Sequence, residues 1–389
     1  MTEPLVLSGA DRILIFAPHP DDETLATGGL IQRALDEGAA VRVVFVTDGE
    51  NNPWAQRAVE WRWRIGPADR ERWGERRRGE AVAALACLGV PSTQTTFLGY
   101  PDQGLQRLLL AGDDDLREAI TTELTSFRPS LLVAPSLEDL HPDHSALAIF
   151  VRRALDRLEP RERPRERDFV VHHDGPVLPA AGALRLVLSH EERERKRRAI
   201  LNHGSQLRLR RDVLLEFADG DELFLTPGHA AFHNGRHPVR DAVMDGDALV
   251  LEIERHSRLG AFGPTDLLLS LNRPETRETL VARLPRRSGA LELYQRASGA
   301  LVARGEWRAA RRGRAESAIL PSRVLAGSLR AFAKLERRFG FFDEAGWRAL
   351  PVPARAGEPA RALATRARAV APGGSGIVAR VRQAPGDQP

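Results

Sequence analysis

Apolar runs broken by turn residues divide the chain into two textures. In the first half, near-continuous runs at 12–17, 41–46, 93–98 and 131–134 have the length and density of strands buried on both faces of a parallel sheet. Between them lie stretches of helical period. At about 23–37, Leu25, Leu30, Ile31, Ala34 and Leu35 share one stripe and Gly38 marks the stop; at 55–89 the stripe is Ala81, Val82, Leu85 and Leu88, closed by Gly89. Further helices are predicted at 114–127 and 145–158. Strand and helix alternate at the spacing of an α/β, Rossmann-like, mostly parallel sheet with helices on both faces. Strands near 168–173 and 184–188 and a basic helix near 190–202 complete this unit, which is predicted to span 1–226.

After about 227 the pattern shortens. Runs at 248–256, 266–272, 278–285, 290–296, 301–307 and 316–321 partly alternate and are separated by Pro, Gly, Asn or Ser, which predicts a C-terminal antiparallel β-rich domain over 227–353. Residues 329–339 fit a helix or a further strand equally well. From 354 to 389 Ala, Arg, Gly and Pro dominate, and a disordered tail is expected.

Composition narrows the class of protein. With 389 residues and 42% hydrophobic content the chain can bury a large core. No apolar run approaches the roughly 20 residues of a transmembrane helix, and the start MTEPLVLSGADR lacks a basic stretch followed by an apolar one, so a cytoplasmic protein is expected. A single cysteine, Cys87, fits a reducing compartment; its neighbours Ala86 and Leu88 predict a small buried hydrophobe. The net charge of +4 is no sign of nucleic acid. Six arginines of the tail outnumber Glu358 and Asp387 by that amount, and the rest of the chain is balanced.

Chemistry concentrates in two loops. His19, Asp21, Asp22 and Glu23 follow the first strand at once, where open α/β sheets place their ligands. Residues 135–144, ending in His141-Pro142-Asp143-His144, follow the fourth strand, and parallel connection brings both to one sheet edge, together with the loop 47–54. Histidine nitrogen and carboxylate oxygen suit a hard or borderline divalent metal, and prolines 20 and 142 stiffen both turns. A site of His19, Asp22 and His144 with room for further ligands is geometrically sensible. Asp21 and Asp22 are interchangeable on sequence grounds, and Glu23 reads as a first-turn acid of the helix. His229, His233 and His237 recur at four-residue spacing, but Gly228, Asn234, Gly235 and Pro238 argue against a helix and so against a second metal site. His172 and His173, adjacent on an expected strand, divide between core and surface.

The segment APHPDDE and the later HPDH resemble the LmbE/PIG-L family of zinc-dependent N-deacetylases, which act on N-acetylglucosamine conjugates and related N-acyl compounds. TDGE (47–50), Arg77 with Glu80, FLGYPDQGL (97–105) and KRRAILNHGSQ (196–206) agree in order, so the resemblance covers roughly 10–226. It implies that His19, Asp22 and His144 hold zinc, or another divalent ion, and that Asp21 is the general base. Hydrolysis of an amide needs a nucleophile at neutral pH, and zinc lowers the pKa of bound water to about 7. His141 is then the expected donor to the tetrahedral oxyanion. Asp143 either orients one of the histidines or caps the following helix. Arg77 and Asp102 are candidates for substrate hydroxyls or a phosphate, against a solvated arginine face and a turn-closing aspartate respectively. His203 either touches the site or fixes the last helix.

The expected activity is removal of an N-acetyl group from an amino sugar in a glycoconjugate. Rival readings are a metal-dependent hydrolase of a non-sugar amide or phosphoester, and a carbohydrate-binding protein with a vestigial metal site. A dinucleotide-binding protein is disfavoured because no G-x-G-x-x-G turn follows the first strand. The expected partner is a small molecule or glycoconjugate, not nucleic acid. The β-rich region is open to shaping the cleft, binding a glycan or forming a homo-oligomer.

Overall fold

A computed structural model of the protein describes residues 5–173, 183–227, 237–254, 265–310, 315–337 and 345–353. In chain order the first unit comprises β1 (Arg12–Ala17), α1 (Asp22–Asp36), β2 (Ala40–Thr47), α2 (Pro53–Glu60), α3 (Pro67–Leu88), β3 (Thr95–Tyr100), α4 (Leu105–Ala111), α5 (Asp115–Phe127), β4 (Leu131–Pro135), α6 (Pro142–Leu155) and β5 (Arg165–Phe169). The five strands form a parallel sheet in the order β3-β2-β1-β4-β5. Residues 13–17 of β1 are fully buried. Because side chains alternate along a strand, Ile13, Ile15 and Ala17 enter one core with α1 and α3, while Leu14 and Phe16 enter the opposite core with α5 and α6. Each such side chain contributes on the order of 1.5–3 kcal/mol relative to an exposed one. The chain leaves β1 toward β2 and later returns to β4 on its other side. That reversal opens a crevice beyond the carboxyl ends of β1 and β4.

Several elements depart from expectation for local reasons. The long helix expected over 55–89 is two helices, α2 and α3, since Trp61 takes a left-handed conformation (φ 53°) and Gly66-Pro67 starts a new helix. The strand expected at 168–173 lies at 165–169, and residues 170–173 turn away. Cys87 is half-buried rather than buried. Helix α4 was not expected, nor was α8 below.

Strand β6 (Leu184–Leu186), helices α7 (His190–Leu201) and α8 (Gly204–Asp219), and strand β7 (Glu222–Phe224) cover α1, with β6 and β7 paired antiparallel. The Glu222 carboxylate takes Lys196 Nζ at 2.7 Å and the backbone N–H groups of Gly29 and Leu30 at 2.6 and 2.8 Å. Gly29 lets these elements close on α1, since a Cβ there would lie 2.3 Å from Leu188 Cδ2 and 3.1 Å from Glu222 Oε1.

The remaining strands are β8 (Val239–Asp245), β9 (Ala248–Ile253), β10 (Thr265–Asn272), β11 (Arg277–Arg283), β12 (Gly289–Gln295), β13 (Leu301–Arg308), β14 (Glu316–Pro321), β15 (Arg330–Arg337) and β16 (Arg348–Ala349). They form one antiparallel sheet, β16-β15-β10-β11-β12-β13-β14-β9-β8, so the ambiguous stretch near 329–339 is a strand. Arg348 Nη1 donates to Val239 O at 2.9 Å, which joins the two edges, and the sheet is nearly a barrel. Its interior is the alternating apolar set Leu249, Leu251, Leu267, Leu269, Leu291, Leu293 and Trp307. His237, the described member of the four-residue histidine series, is buried and accepts the Val239 N–H at 3.1 Å; His229 and His233 lie outside the described residues, as does the tail from 354. Among the described residues no helix is long and apolar enough to cross a membrane.

β10 is buried on both faces because it also packs on the α/β unit. Leu268, Phe332 and Trp347 belong to the α5/α6 core. Arg153 Nη2 donates to Ser270 Oγ at 2.9 Å, and Asp156 accepts from Asn272 and Arg330. Residues 346–347 run against the loop after β4: Trp347 N–H donates to Leu137 O at 2.6 Å, and a Cβ on Gly346 would lie 2.0 Å from that oxygen and 2.7 Å from Asp139 O. Trp347→Ala should therefore cost about 3–5 kcal/mol. A urea-unfolding midpoint unchanged by the substitution would contradict this packing.

Candidate metal centre

The site forms where β1 and β4 end. Asp22 opens α1, and its Oδ2 accepts the His19 N–H at 3.0 Å, which folds the His-Pro-Asp-Asp turn back on itself. That same oxygen lies 3.1 Å from His19 Nδ1 and 3.1 Å from His144 Nε2. Although so near, His144 Nε2 makes no well-aligned hydrogen bond among the described residues and is fully shielded from solvent. Two imidazole nitrogens aimed at one carboxylate oxygen, one of them without a well-aligned hydrogen bond, form the donor arrangement a cation satisfies. Ring centroids of His19, His141 and His144 lie 4.7–5.3 Å apart, and His172 is 4.8 Å from His144. Among the described residues, three sets of donors have ligand atoms within 4.8 Å of one another: His19, His141 and His144; Asp22, His144 and His172; His19, Asp102 and Asp143.

The outward nitrogens of both central histidines face carboxylates. His144 Nδ1 is 3.2 Å from Asp139 Oδ2, and His19 Nε2 is 3.2 Å from Asp102 Oδ1 and 3.4 Å from Asp143 Oδ2. Such carboxylates fix the tautomer and ring orientation of a ligating imidazole. Against the penalty of burial, Asp139 and Asp22 raise the His144 pKa to about 9. Burial likewise opposes protonation of His19, yet Asp102, Asp143 and Asp22 together lift its pKa well above the ordinary value. The pocket thus demands positive charge at these two rings.

Asp21 has an uncommon backbone, φ 135° and ψ −32°, a conformation that costs on the order of 1–3 kcal/mol in a non-glycine residue. Glu23 holds it by accepting the Asp21 N–H at 3.0 Å, and Arg77 Nη2 lies 3.1 Å from Asp21 Oδ2. Burial raises the Asp21 pKa to about 6, with Arg77 opposing and Asp22 adding to the rise. Glu23 is a first-turn acid as expected, and it also faces His203, whose Nε2 lies 3.5 Å from its Oε1 and 3.3 Å from Thr24 Oγ1. His141 Nδ1 accepts the Asp143 N–H at 3.2 Å and so caps α6 in place of Asp143. Burial, then the neighbouring rings, push its pKa well below the ordinary value. A neutral ring with Nδ1 as acceptor carries its proton on Nε2.

Both expected substrate readers are engaged within the protein. Arg77 is 4% exposed rather than part of a solvated face, and donates to Gly49 O at 3.0 Å and Pro20 O at 2.6 Å. Asp102, besides facing His19, accepts the Asn51 N–H at 2.8 Å. Asp143 accepts from Gln103 N and Leu105 N, which fixes the start of α4 as well as facing His19.

Sequence reasoning passed over Asp139 and the part His172 plays. Asp139 is fully buried, and its carboxylate accepts from His141 N at 2.9 Å, Val171 N at 2.9 Å and His172 N at 3.1 Å besides facing His144. Its position two residues before His141 was the available signal. His172 reaches the site only because β5 stops at Phe169; burial takes its pKa down to about 4, a neutral ring.

Fold and cluster together define a Rossmann-like α/β domain with a buried histidine–carboxylate centre suited to a divalent cation. Residues 14–155 match the family model described as PIG-L: GlcNAc-PI de-N-acetylase, the family that the APHPDDE and HPDH segments resemble. Among curated relatives, the 1D-myo-inositol 2-acetamido-2-deoxy-alpha-D-glucopyranoside deacetylase of Gordonia bronchialis is 35% identical over 169 residues, 38% of this chain and 57% of that protein. The Probable N-acetyl-alpha-D-glucosaminyl L-malate deacetylase 2 of Bacillus cereus is 31% identical over 154 residues, 39% of this chain and 64% of that one. The chain spans about half to two thirds of the length of these relatives. Of solved structures, a conserved protein from Thermus thermophilus is 24% identical, with a TM-score of 0.42 over 57% of this chain and 96% of that one.

The Asp139 contacts generate a test. Asp139→Asn should weaken binding of a divalent metal by about 10–100-fold while the far-ultraviolet circular dichroism is preserved. Gly346→Ala, which presses on the Asp139 backbone, should shift affinity in the same direction. Metal titration of the purified chain measures both, and unaltered affinity in Asp139→Asn would show that this carboxylate does not support the centre.

Proposed function

We propose that the protein is a zinc-dependent hydrolase that removes an N-acetyl group from the amino sugar of a GlcNAc-type conjugate. The observation that carries this reading is the single Asp22 oxygen set 3.1 Å from two imidazole nitrogens, beside a second carboxylate that is held elsewhere. His19, Asp22 and His144 are assigned to the ion. When bound, a divalent cation supplies Lewis-acid polarisation of the amide carbonyl and acidifies water near neutral pH.

Every other step belongs to the chain. Asp21, with its pKa raised to about 6, accepts a proton from the attacking water and returns it to the departing amine nitrogen. Arg77 and Glu23 fix its orientation from opposite ends. The Nε2–H of neutral His141 donates to the oxygen on which charge develops, worth about a hundredfold or more in rate by comparison with other oxyanion donors. Asp102, Asp143 and Asp139 hold the ligand rings. For Arg77 and Asp102 to read sugar hydroxyls, as their sequence context suggests, their internal contacts must be exchanged when substrate enters.

The sugar class rests on the family and on the relatives' names, which share an acetylated glucosamine and differ in what is attached to it. The single cysteine supports a reducing, cytoplasmic setting. Acetate release from a graded set of GlcNAc conjugates, compared with phosphate release from phosphoesters, separates this activity from the phosphoesterase alternative. Asp21→Ala should lower kcat by about 10²–10⁴-fold with metal content near that of the unaltered protein. Full deacetylation by this variant would remove Asp21 from the mechanism, and phosphate release in place of acetate would remove the sugar-amide assignment.

A further inference from the structure

A second feature lies outside the metal centre and is independent of the activity proposed for it. Trp54, Trp61 and Trp63 are 67%, 84% and 81% exposed, although a buried indole contributes more apolar area than almost any other side chain. Trp54 lies in the first turn of α2, and Trp61 and Trp63 follow its last residue; Asn52, the residue before α2, donates to Gln206 of α8 at 3.1 Å, and α2 packs along α8. The platform is ordered. Arg57 lies with its guanidinium carbon 5.1 Å from the Trp54 ring centre and 5.6 Å from that of Trp63, and its Nε donates to Trp63 O at 3.0 Å. On α8 the exposed stretch 208–213 continues the same mixture, with Leu209 and Val213 set among Arg208, Arg210 and Arg211.

Charge selects the partner. Across 53–66 and 204–213, Arg57, Arg62, Arg64, Arg208, Arg210 and Arg211 stand against Glu60 and Asp212. Glu60 is already engaged by Arg72, while Asp69 binds Arg62. A neutral glycan has no counterpart for this excess, and its usual stacking surface is diminished where Arg57 covers one side of two indoles. Single-stranded nucleic acid matches the arginines and the indoles but leaves exposed Leu209 and Val213 without a role. An anionic bilayer matches all three: indoles partition to the headgroup level, aliphatic side chains enter below it, and arginines face lipid phosphates.

We propose that the face formed by α2, the turn at 61–66 and the exposed stretch of α8 docks on an anionic phospholipid membrane. The contact is peripheral, with the carboxyl edge of the five-stranded sheet held near the surface.

Cosedimentation of the full chain with vesicles of phosphatidylcholine alone, or mixed with phosphatidylglycerol, tests this. Binding is expected only to the anionic vesicles, weakening as salt rises, with a blue shift of tryptophan emission. A combined Trp54→Ala, Trp61→Ala and Trp63→Ala variant should bind at least about tenfold more weakly with its thermal midpoint unchanged, because these side chains are exposed. The six arginines of 354–389 also attract anionic vesicles and remain in that variant, so it is the deciding comparison. Arg208→Glu with Arg211→Glu should reduce binding as well. Absence of vesicle binding, equal binding by the tryptophan variant, or preference for single-stranded RNA over anionic vesicles would overturn the proposal.

Discussion

The site depends on one carboxylate oxygen shared by two imidazoles. Asp22 Oδ2 already accepts the His19 N–H and faces His19 Nδ1, and His144 Nε2, 3.1 Å from the same oxygen, makes no well-aligned hydrogen bond among the described residues. Around that point Asp22, Glu23, Asp102, Asp139 and Asp143 are each at most 7% exposed, and the guanidinium set beside them is Arg77. Burying so many carboxylates is costly unless positive charge accompanies them. Protons on His19 and His144 supply part of it, which is why both pKa values rise against the penalty of burial. A divalent cation supplies it without that conflict, since the imidazoles then serve as neutral donors and each keeps its proton toward a carboxylate.

This constraint explains the architecture around it. The two loops meet because β1 lies between β2 and β4, so a crevice opens where the ligands are needed. Asp139 links the HPDH loop to the turn after β5, and the segment Gly346–Trp347 presses on the backbone of that same loop. The nearly closed β sheet is therefore a buttress for the loop that carries His141 and His144 as well as a unit with its own core. Of the roles left open for it by sequence, shaping the site has direct contacts behind it.

The parallel sheet and the two loops were legible because buried parallel strands are dense in apolar residues and the histidine–aspartate clusters follow them directly. The third contributor, the turn after β5, was not. By pattern His172 alternates on a strand, but β5 ends at Phe169, a boundary that no residue between 165 and 173 announces. Arg77 was hidden for a different reason. In a run of three arginines its neighbours are more exposed, and only tertiary packing directs this one to Asp21, Pro20 and Gly49. The break between α2 and α3 was signalled by Gly66-Pro67 and was overridden by helical periodicity on both sides.

Crystals of the zinc-loaded protein, measured at the zinc absorption edge, address the central claim most directly. One anomalous peak is expected beside His19, Asp22 and His144, with His19 Nε2 still facing Asp102 and Asp143. A peak among His19 Nε2, Asp102 and Asp143, or none at this edge of the sheet, would contradict it.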